Sequence, residues 1–571
     1  MELVSQRVKR IMEDCKVRAS AAGLKIYGET LEYIITNENM IELNPKIMIP
    51  TLYDFWANDI EVIRDKWIYD VNPHNAYETA INTRPAISFY NDNNPDWLNS
   101  MIFYHVLGHH DFFQNNVFFR NTWNDDFCGE ALADKRLISR IREEMGAEKR
   151  WVDYVIEFAR SADNLVGYYA ELEDADKTGT GPMSGLFSKR ANFYFGEFLK
   201  QRYEEKAADL KFYHDEVERF NSFQKQFGQK QGEDIFFEDF EFRSKFPEFM
   251  GVFQRRQKNE KVKSRDILHH LIEHSPFVNK DENKWMKDVI SVIRKTSLYF
   301  QPQIRTKIIN EGWASLWHER LFMADERMRS HEIDFADVNA KVLANPRVGL
   351  NPYFIGKSLL EFIEGLAEKG KLSYEYLLIR DTELRKRFEQ KTEKDPGKKA
   401  MFEARRNFDD IALVNFLSDA DFQDFVDKHR LFVAGSRINP EEGVEEIYVK
   451  SRSGKEYRKI LNKRLYHPPY VVINEKKTKG EEFYLDHIFE GRSLVTQYIP
   501  QVLMGLSCLW GGIVKLETTE LDADKQASQW LKLQDPDYKP KYRKIRVLYT
   551  YENKNLSRKV LGEDEGGYND D

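Results

Sequence analysis

The stretch HVLGHHDFF, residues 105–113, puts three histidines into six positions of a chain that has thirteen in 571 residues. On a helix, positions i and i+4 differ by about 40° around the axis and about 6 Å along it, so His105 and His109 can turn their imidazoles toward one point. This is the histidine spacing of HExxH zinc helices. The residue after the first histidine is Val106, where those peptidases carry the water-activating glutamate, so the ordinary zincin mechanism is excluded. His110 lies about 100° from His109 and should face elsewhere. Asp111 is a candidate to orient a ring or to act in catalysis. The competing reading is a pair of buried, hydrogen-bonded histidines among Phe103, Phe112 and Phe113.

A second candidate is NEGWASLWHERLF, residues 310–322. Glu311 and His318 are seven apart, which returns them to one helical face but separates them by about 10 Å along the axis. Zinc–ligand bonds of about 2.0–2.2 Å do not let one ion take both directly. Either one is a ligand and the other a base or outer partner, or two metals are held. Without a metal, this is an aromatic core helix in which Trp313 and Trp317 pack. A third histidine pair, His270 and His274 in HHLIEHSPF, precedes Ser-Pro, and the helix dipole favours a histidine there without any metal. It reads as structural. No Walker loop, GxGxxG fingerprint or GxSxG elbow anchors nucleotide binding or serine hydrolysis. KYRKIRV, 541–547, reads as a solvated strand edge.

The elements that must hold these residues are those of a globular chain, with 41% hydrophobic and 13% aromatic residues and charges of both signs mixed along it. A net charge of −8 supplies no general positive field, which argues against nucleic acid or an anionic membrane as the main partner. Cys15, Cys128 and Cys508 suggest neither a disulfide framework nor a thiolate zinc site, and suit a reducing compartment. The opening MELVSQRVKRIMEDC lacks the apolar run of a secretion signal, and no stretch approaches the roughly 18 apolar residues of a membrane span. The expected location is cytoplasmic.

Residues 1–400 read as a large, mainly α-helical domain, with apolar residues every three or four positions in segments such as 132–166. DPGKKAMFEARRNFDD, 395–410, is the expected boundary. Beyond it, 411–550 reads as a small α+β module. EEIYVKS, PPYVVINE and EEFYLDHIFEG are strands separated by turns at SRSGKE and KKTKG, a helix covers SLVTQYIPQVLMGLSCLWGG at 493–512, and VKLETTE restarts a strand. This module is the expected docking surface for a protein partner. The end, 551–571, reads as an acidic, disordered tail.

Five blocks, in order, resemble the stage V sporulation protein R (SpoVR-like) family: NAYETAINTRPAISFYNDNN at 75–94, HVLGHHDFFQNN at 105–116, INEGWASLWHERL at 309–321, LNPYFIGKSLLEFIE at 350–364, and GEEFYLDHIFEG with LWGGIVKLETTE at 480–520. The resemblance implies a cytoplasmic bacterial protein linked to spore-cortex assembly or, in bacteria that make no spores, to a stress response. It supplies a process and no reaction. The family's REExxYF segment reads RKTSLYF here, with Lys295 and Thr296 at the glutamate positions, and its aromatic, glycine-lysine N-terminal segment appears only as YDFWANDIEVIRDKW at 53–67.

The leading expectation is a metal-dependent enzyme of hydrolase type. His105, His109 and His318, with Glu78 as a further candidate, would hold zinc, iron or manganese, while Glu311 and Asp111 act in catalysis. The alternative is a regulatory or scaffold protein whose histidines form a buried polar network.

Overall fold

The computed structural model describes residues 2–36, 78–122, 127–166, 189–199, 207–251, 253, 266–346, 349–373, 376, 379, 381–390, 395–438, 444–523 and 542–563. The chain divides into two compact units: residues 1–164 with 274–571, and the inserted segment 165–273.

The first unit is built around helices that carry the three central sequence blocks. Helix α1 spans Gln6–Ala21, α2 Asp96–Asn115, α3 Phe127–Met145, α4 Arg150–Arg160, α5 Trp285–Arg305, α6 Lys307–Ala324, α7 Glu332–Val342, α8 Pro352–Glu368, α9 Pro396–Asn407, α10 Asp410–Asn415 and α11 Ile499–Trp510. In α2 and α6 apolar residues run all round the axis, as expected of helices enclosed by the core. Residues 98–113 of α2 are buried without interruption. Helix α6 buries Trp313 and Leu316 completely. Its two faces meet different partners at very short range. A Cβ added at Gly312 would lie 2.2 Å from the carbonyl carbon of Gly356 in α8, and one at Gly108 of α2 would lie 2.7 Å from the Cα of Ala314. Only glycine lets these backbones approach so closely.

Two sheets accompany this core. Strands β1 (Glu2–Leu3), β2 (Thr30–Ile35), β3 (Glu78–Ile81) and β4 (Ala86–Asn91) form a four-stranded sheet in the order β1-β2-β4-β3, with β2 parallel to β4. A hairpin joins β5 (Val433–Ile438) to β6 (Glu445–Ser451). Strands β7 (Tyr470–Ile473), β8 (Glu482–Ile488), β9 (Ile513–Ala523), β10 (Tyr542–Glu552) and β11 (Asn555–Glu563) form the five-stranded sheet β11-β10-β9-β8-β7. Here β8 and β9 are parallel and α11 makes the crossover. Gly511 ends α11 in the left-handed conformation, φ 80°, and Phe483 stacks on Trp510 at 4.8 Å.

The inserted unit has its own aromatic core. Tyr194 packs at its centre against Phe236, Phe237, Phe242, Phe246 and Phe249, and donates a hydrogen bond of 2.8 Å to buried Glu216.

The mainly helical class with strands concentrated toward the C-terminus is the one expected. Several details differ. The four-stranded sheet lies inside the stretch read as helical; its strand AISFYN is only six residues long, is buried at all but one position and so shows no alternation, and its neighbouring stretches are charged or polar. The helical stretch 132–166 is broken at Gly146, φ 54°, into α3 and α4. Residues 395–410, expected as a boundary, include α9, whose Met401 and Ala404 are buried in the same core as α2 and α6. That core continues to Leu465. SRSGKE opens the helix Gly454–Arg464, capped by Ser453, where a turn was expected. YRKIRV, 542–547, lies in β10, which is flanked on both sides and is no edge, while position 541 lies outside the described residues. The expected tail at 551–571 contains β11, while 564–571 lie outside the described residues, as does YDFWANDIEVIRDKW.

Two outcomes follow from this packing. Gly312→Ala forces backbone against backbone and should destabilise by about 1–3 kcal/mol or more, whereas Gly365→Ala on α8, with open space around it, should be neutral or stabilising by about 0.5–1 kcal/mol in urea unfolding. In the five-stranded sheet, burial opposes ionisation of Glu517, but hydrogen bonds from Tyr484, Lys477 and Arg546 outweigh it and hold the carboxyl at about 2, against 4.5 ordinarily. Its contribution to stability is therefore complete above pH 4.5 and disappears as the pH falls through 2. Glu517→Gln should flatten the acid limb of a thermal-stability profile over that window and lower the melting temperature at pH 7.

Candidate metal centre

Helices α2 and α6 cross where His105 and His109 meet Glu311. The two imidazoles sit one turn apart on α2 and touch edge to face, with centroids 4.6 Å apart. His109 Nε2 is 3.6 Å and His105 Nε2 3.8 Å from Glu311 Oε2. Among the described residues these three side chains form a group whose potential ligand atoms all lie within 4.8 Å of one another.

The geometry behind the rings decides what they present to the centre. His109 Nδ1 lies 3.0 Å from Asn310 Oδ1, and because an amide oxygen only accepts, that nitrogen carries the proton. A neutral His109 therefore turns a bare Nε2 toward Glu311. Burial, reinforced by the neighbouring His105, brings the His109 ring down to about 4, so it is neutral at pH 7. For Glu311, burial raises the carboxyl, while His105, His109 and Lys307 outweigh that effect and hold it below its ordinary value. A carboxylate and a neutral imidazole thus face each other, both offering lone pairs. The histidine side chains are 5% and 10% exposed and that of Glu311 18%, while Glu311 Oε2 and His105 Nε2 are themselves buried. The third block contributes from α8, where Asn351 caps the helix and Tyr353 lies over His105 at 6.0 Å.

The chain holds α6 in place by two buried carboxylates at its start. Asp410 accepts the backbone N–H groups of Ile308 and Ile309, both at 2.9 Å, and Asp409 accepts from Arg305 at 2.8 Å. Burial moves Asp410 up to about 8, despite those two donors.

The other expected site residues take different places. His318 stands behind His105 and not beside it: its Nδ1 is 2.9 Å from His105 Nδ1 and its Nε2 2.9 Å from Asn339 Oδ1, so both ring nitrogens are engaged within the protein. The structure thus brings Glu311, and not His318, to the Nε2 atoms of the two imidazoles. Asp111 faces away from the centre. It accepts from Lys25 N at 2.7 Å and Trp313 Nε1 at 2.9 Å, and lies 3.2 Å from Arg405 Nε. Burial lifts it to about 6 against the pull of Arg405. Its observed contacts are those of a strut between α2, α6 and α9. His110 takes no part in the group, and Glu78 begins β3 in register with Tyr90. Lys295 is 3.6 Å from Asp134, and Thr296 donates to the Val292 carbonyl at 2.9 Å, contacts that belong to α5 and its α3 neighbour. Asn310, Asn339 and Tyr353 were not singled out in the sequence, although Asn310 and Tyr353 stood inside recognisable blocks and only Asn339 did not.

The three blocks that build this crossing lie inside the stretch that matches a known family. The family profile described as "SpoVR like protein" matches residues 2–467. The chain belongs to the SpoVR-like family. Among its relatives is the "Uncharacterized protein YcgB" of Escherichia coli (strain K12), 22% identical over 524 residues, which cover 87% of this chain and 89% of that protein. No solved structure matches. The SpoVR-like match runs through the whole helical core and stops two residues beyond Leu465, the last residue of that core. No described helix is long and apolar enough to cross a membrane.

The role of Asp111 can be separated from that of the histidines. Asp111→Ala leaves Arg405, with a side chain only 5% exposed, beside an empty site, and should cost about 3–5 kcal/mol in urea unfolding. Asp111→Leu combined with Arg405→Met should recover part of that loss. A purely catalytic Asp111 would show neither effect.

Proposed function

We propose that this SpoVR-like protein binds one divalent transition metal through His105 Nε2, His109 Nε2 and a Glu311 carboxylate oxygen, and uses it in a hydrolytic step connected with sporulation or stress. The observation that carries this reading is the convergence of two imidazole edges and an ionised carboxylate from two helices at one buried point. Buried lone pairs brought together without a positive partner are costly, and a cation between them removes the cost. Two imidazoles and one carboxylate suit zinc, iron or manganese, in keeping with the expected set. Such an ion supplies a Lewis acid and brings the pKa of a bound water toward about 7.

The chain's own groups divide the remaining tasks. Asn310 holds the proton on His109 Nδ1, away from the centre. Glu311 has a second oxygen, Oε1, that can take a proton beside the same ion, which offers a replacement for the glutamate missing at Val106. Tyr353 over His105 restricts access from the side of α8. The resemblance supplies the process: spore-cortex formation in spore formers, a stress response elsewhere.

Protein purified without a histidine tag should carry about one transition metal per chain by elemental analysis. His109→Ala and Glu311→Gln should each abolish it while keeping a cooperative melt. Chelation of the parent should lower its melting temperature, since metal present at 100 times its Kd contributes about 2.7 kcal/mol. A parent with no stoichiometric metal and no response to zinc, iron or manganese overturns the reading and leaves the buried histidine network as a structural device. Loss of the cellular phenotype in the folded Glu311→Gln protein is the expected sign that the ion does chemistry.

A further inference from the structure

Behind His105 runs a hydrogen-bonded series that ends near the surface, and each link fixes the next. Asn339 Nδ2 donates to Glu319 Oε2 at 2.9 Å. A carboxylate only accepts, so this contact sets the orientation of the amide and turns Oδ1 toward His318. Asn339 Oδ1 lies 2.9 Å from His318 Nε2 and must accept there, which places the His318 proton on Nε2. His318 is 1% exposed, so deep in the protein that an uncharged ring is favoured. The lone pair of the neutral ring is then on Nδ1. His105 Nδ1, 2.9 Å away, must donate to it. A neutral His105 consequently has its lone pair on Nε2, the atom that faces Glu311.

We infer that His318 and Asn339, anchored by Glu319, are positioning residues that select the Nδ1–H tautomer of His105 and so aim its Nε2 lone pair at Glu311. The usefulness of this selection rests on the metal-site reading above. The tautomer itself does not. The series is long: Asn339 belongs to α7, outside the blocks that mark the centre, and Glu319, 33% exposed, is countered by Lys357 at 3.4 Å. His109 relies on one neighbour, Asn310, whereas His105 relies on three groups in succession. Outer partners of this kind typically change metal affinity by about 10–100-fold when removed.

The test uses the full chain, metal-free, with 15N-labelled histidine. Long-range 1H–15N correlation reports which ring nitrogen is protonated, and the His105 signals are assigned by their absence in His105→Ala. The parent should show the His105 proton on Nδ1. Asn339→Leu should move the ring to a mixture or to Nε2–H, and should weaken Zn2+ binding in chelator competition by about 10–100-fold. The double variant Asn339→Asp with Glu319→Gln reverses the amide and carboxylate, keeps both hydrogen bonds and the total charge, and should restore tautomer and affinity together. A merely structural Asn339 would lose stability without moving the proton. Should Asn339→Leu not fold, Glu319→Leu frees the amide to flip without touching the buried ring and gives the same readout. A parent with the His105 proton on Nε2, or a folded Asn339→Leu with unchanged tautomer, overturns the inference. A parent that shows the expected tautomer, sensitive to Asn339, yet binds no Zn2+, Mn2+ or Fe2+ upholds the inference and overturns the metal site.

Discussion

The backbone contact between α6 and α8 at Gly312 and Gly356 is the constraint around which the first unit is arranged. Once two helices meet without intervening side chains, their separation and rotation have very little freedom. Glu311 is next to that contact in sequence, and Tyr353 and Lys357 flank it on α8. On the opposite side Gly108, one residue before His109, is pressed against Ala314. The same four glycine and alanine positions that let the helices touch therefore set the distance between the imidazoles and the carboxylate. A bulkier side chain at any of them would move the centre as well as the core.

A second principle is the way buried charge is shared out. Asp111, Asp409, Asp410 and Arg405 are all buried, and all of the carboxylates have donors: backbone N–H groups for Asp410, Arg305 for Asp409, and Lys25 N and Trp313 for Asp111. These groups tie α9 and α10 to α2 and α6, so residues 395–415 belong to the scaffold of the centre. Glu311 differs. Its Oε2 faces two imidazole edges and, among the described residues, has no hydrogen-bond partner within 3.5 Å. A fold that satisfies its other buried carboxylates with such economy leaves this one turned toward two further ligand atoms.

How much of this was legible in the sequence depended on range. The pairing of His105 with His109 follows from helical spacing alone, and the separation of seven agrees with the placement of Glu311 before the imidazoles and His318 behind them. Which of those two faces the histidines depends on the crossing angle of α2 and α6, and no local pattern carries that. Asp111 looked chemical because it follows the histidines, but its position turns it toward Lys25 and Arg405, residues 86 and about 290 positions away. Asn339 gave no signal at all, since its significance lies in an amide oriented by Glu319. In the fold, the long periodic helices and the strands near the C-terminus were readable. The four-stranded sheet was not, because its strands are short and β2 finds its parallel partner β4 more than fifty residues later. Met401 and Ala404 were hidden for a related reason: a highly charged helix can still bury a narrow stripe.

His109, His110 and Asp111 are consecutive, yet they point into three unlike surroundings: the Glu311 centre, a buried position away from it, and the Arg405 strut. Together they act as an indexing mark on α2. Turning the helix by a single residue, about 100°, would bring His110 to the centre but would also drive Asp111 into apolar packing and take the strut from Arg405. An alternative register is thus penalised at two places for every ligand it could supply, and the helix has one rotational setting in which all three neighbours are accommodated.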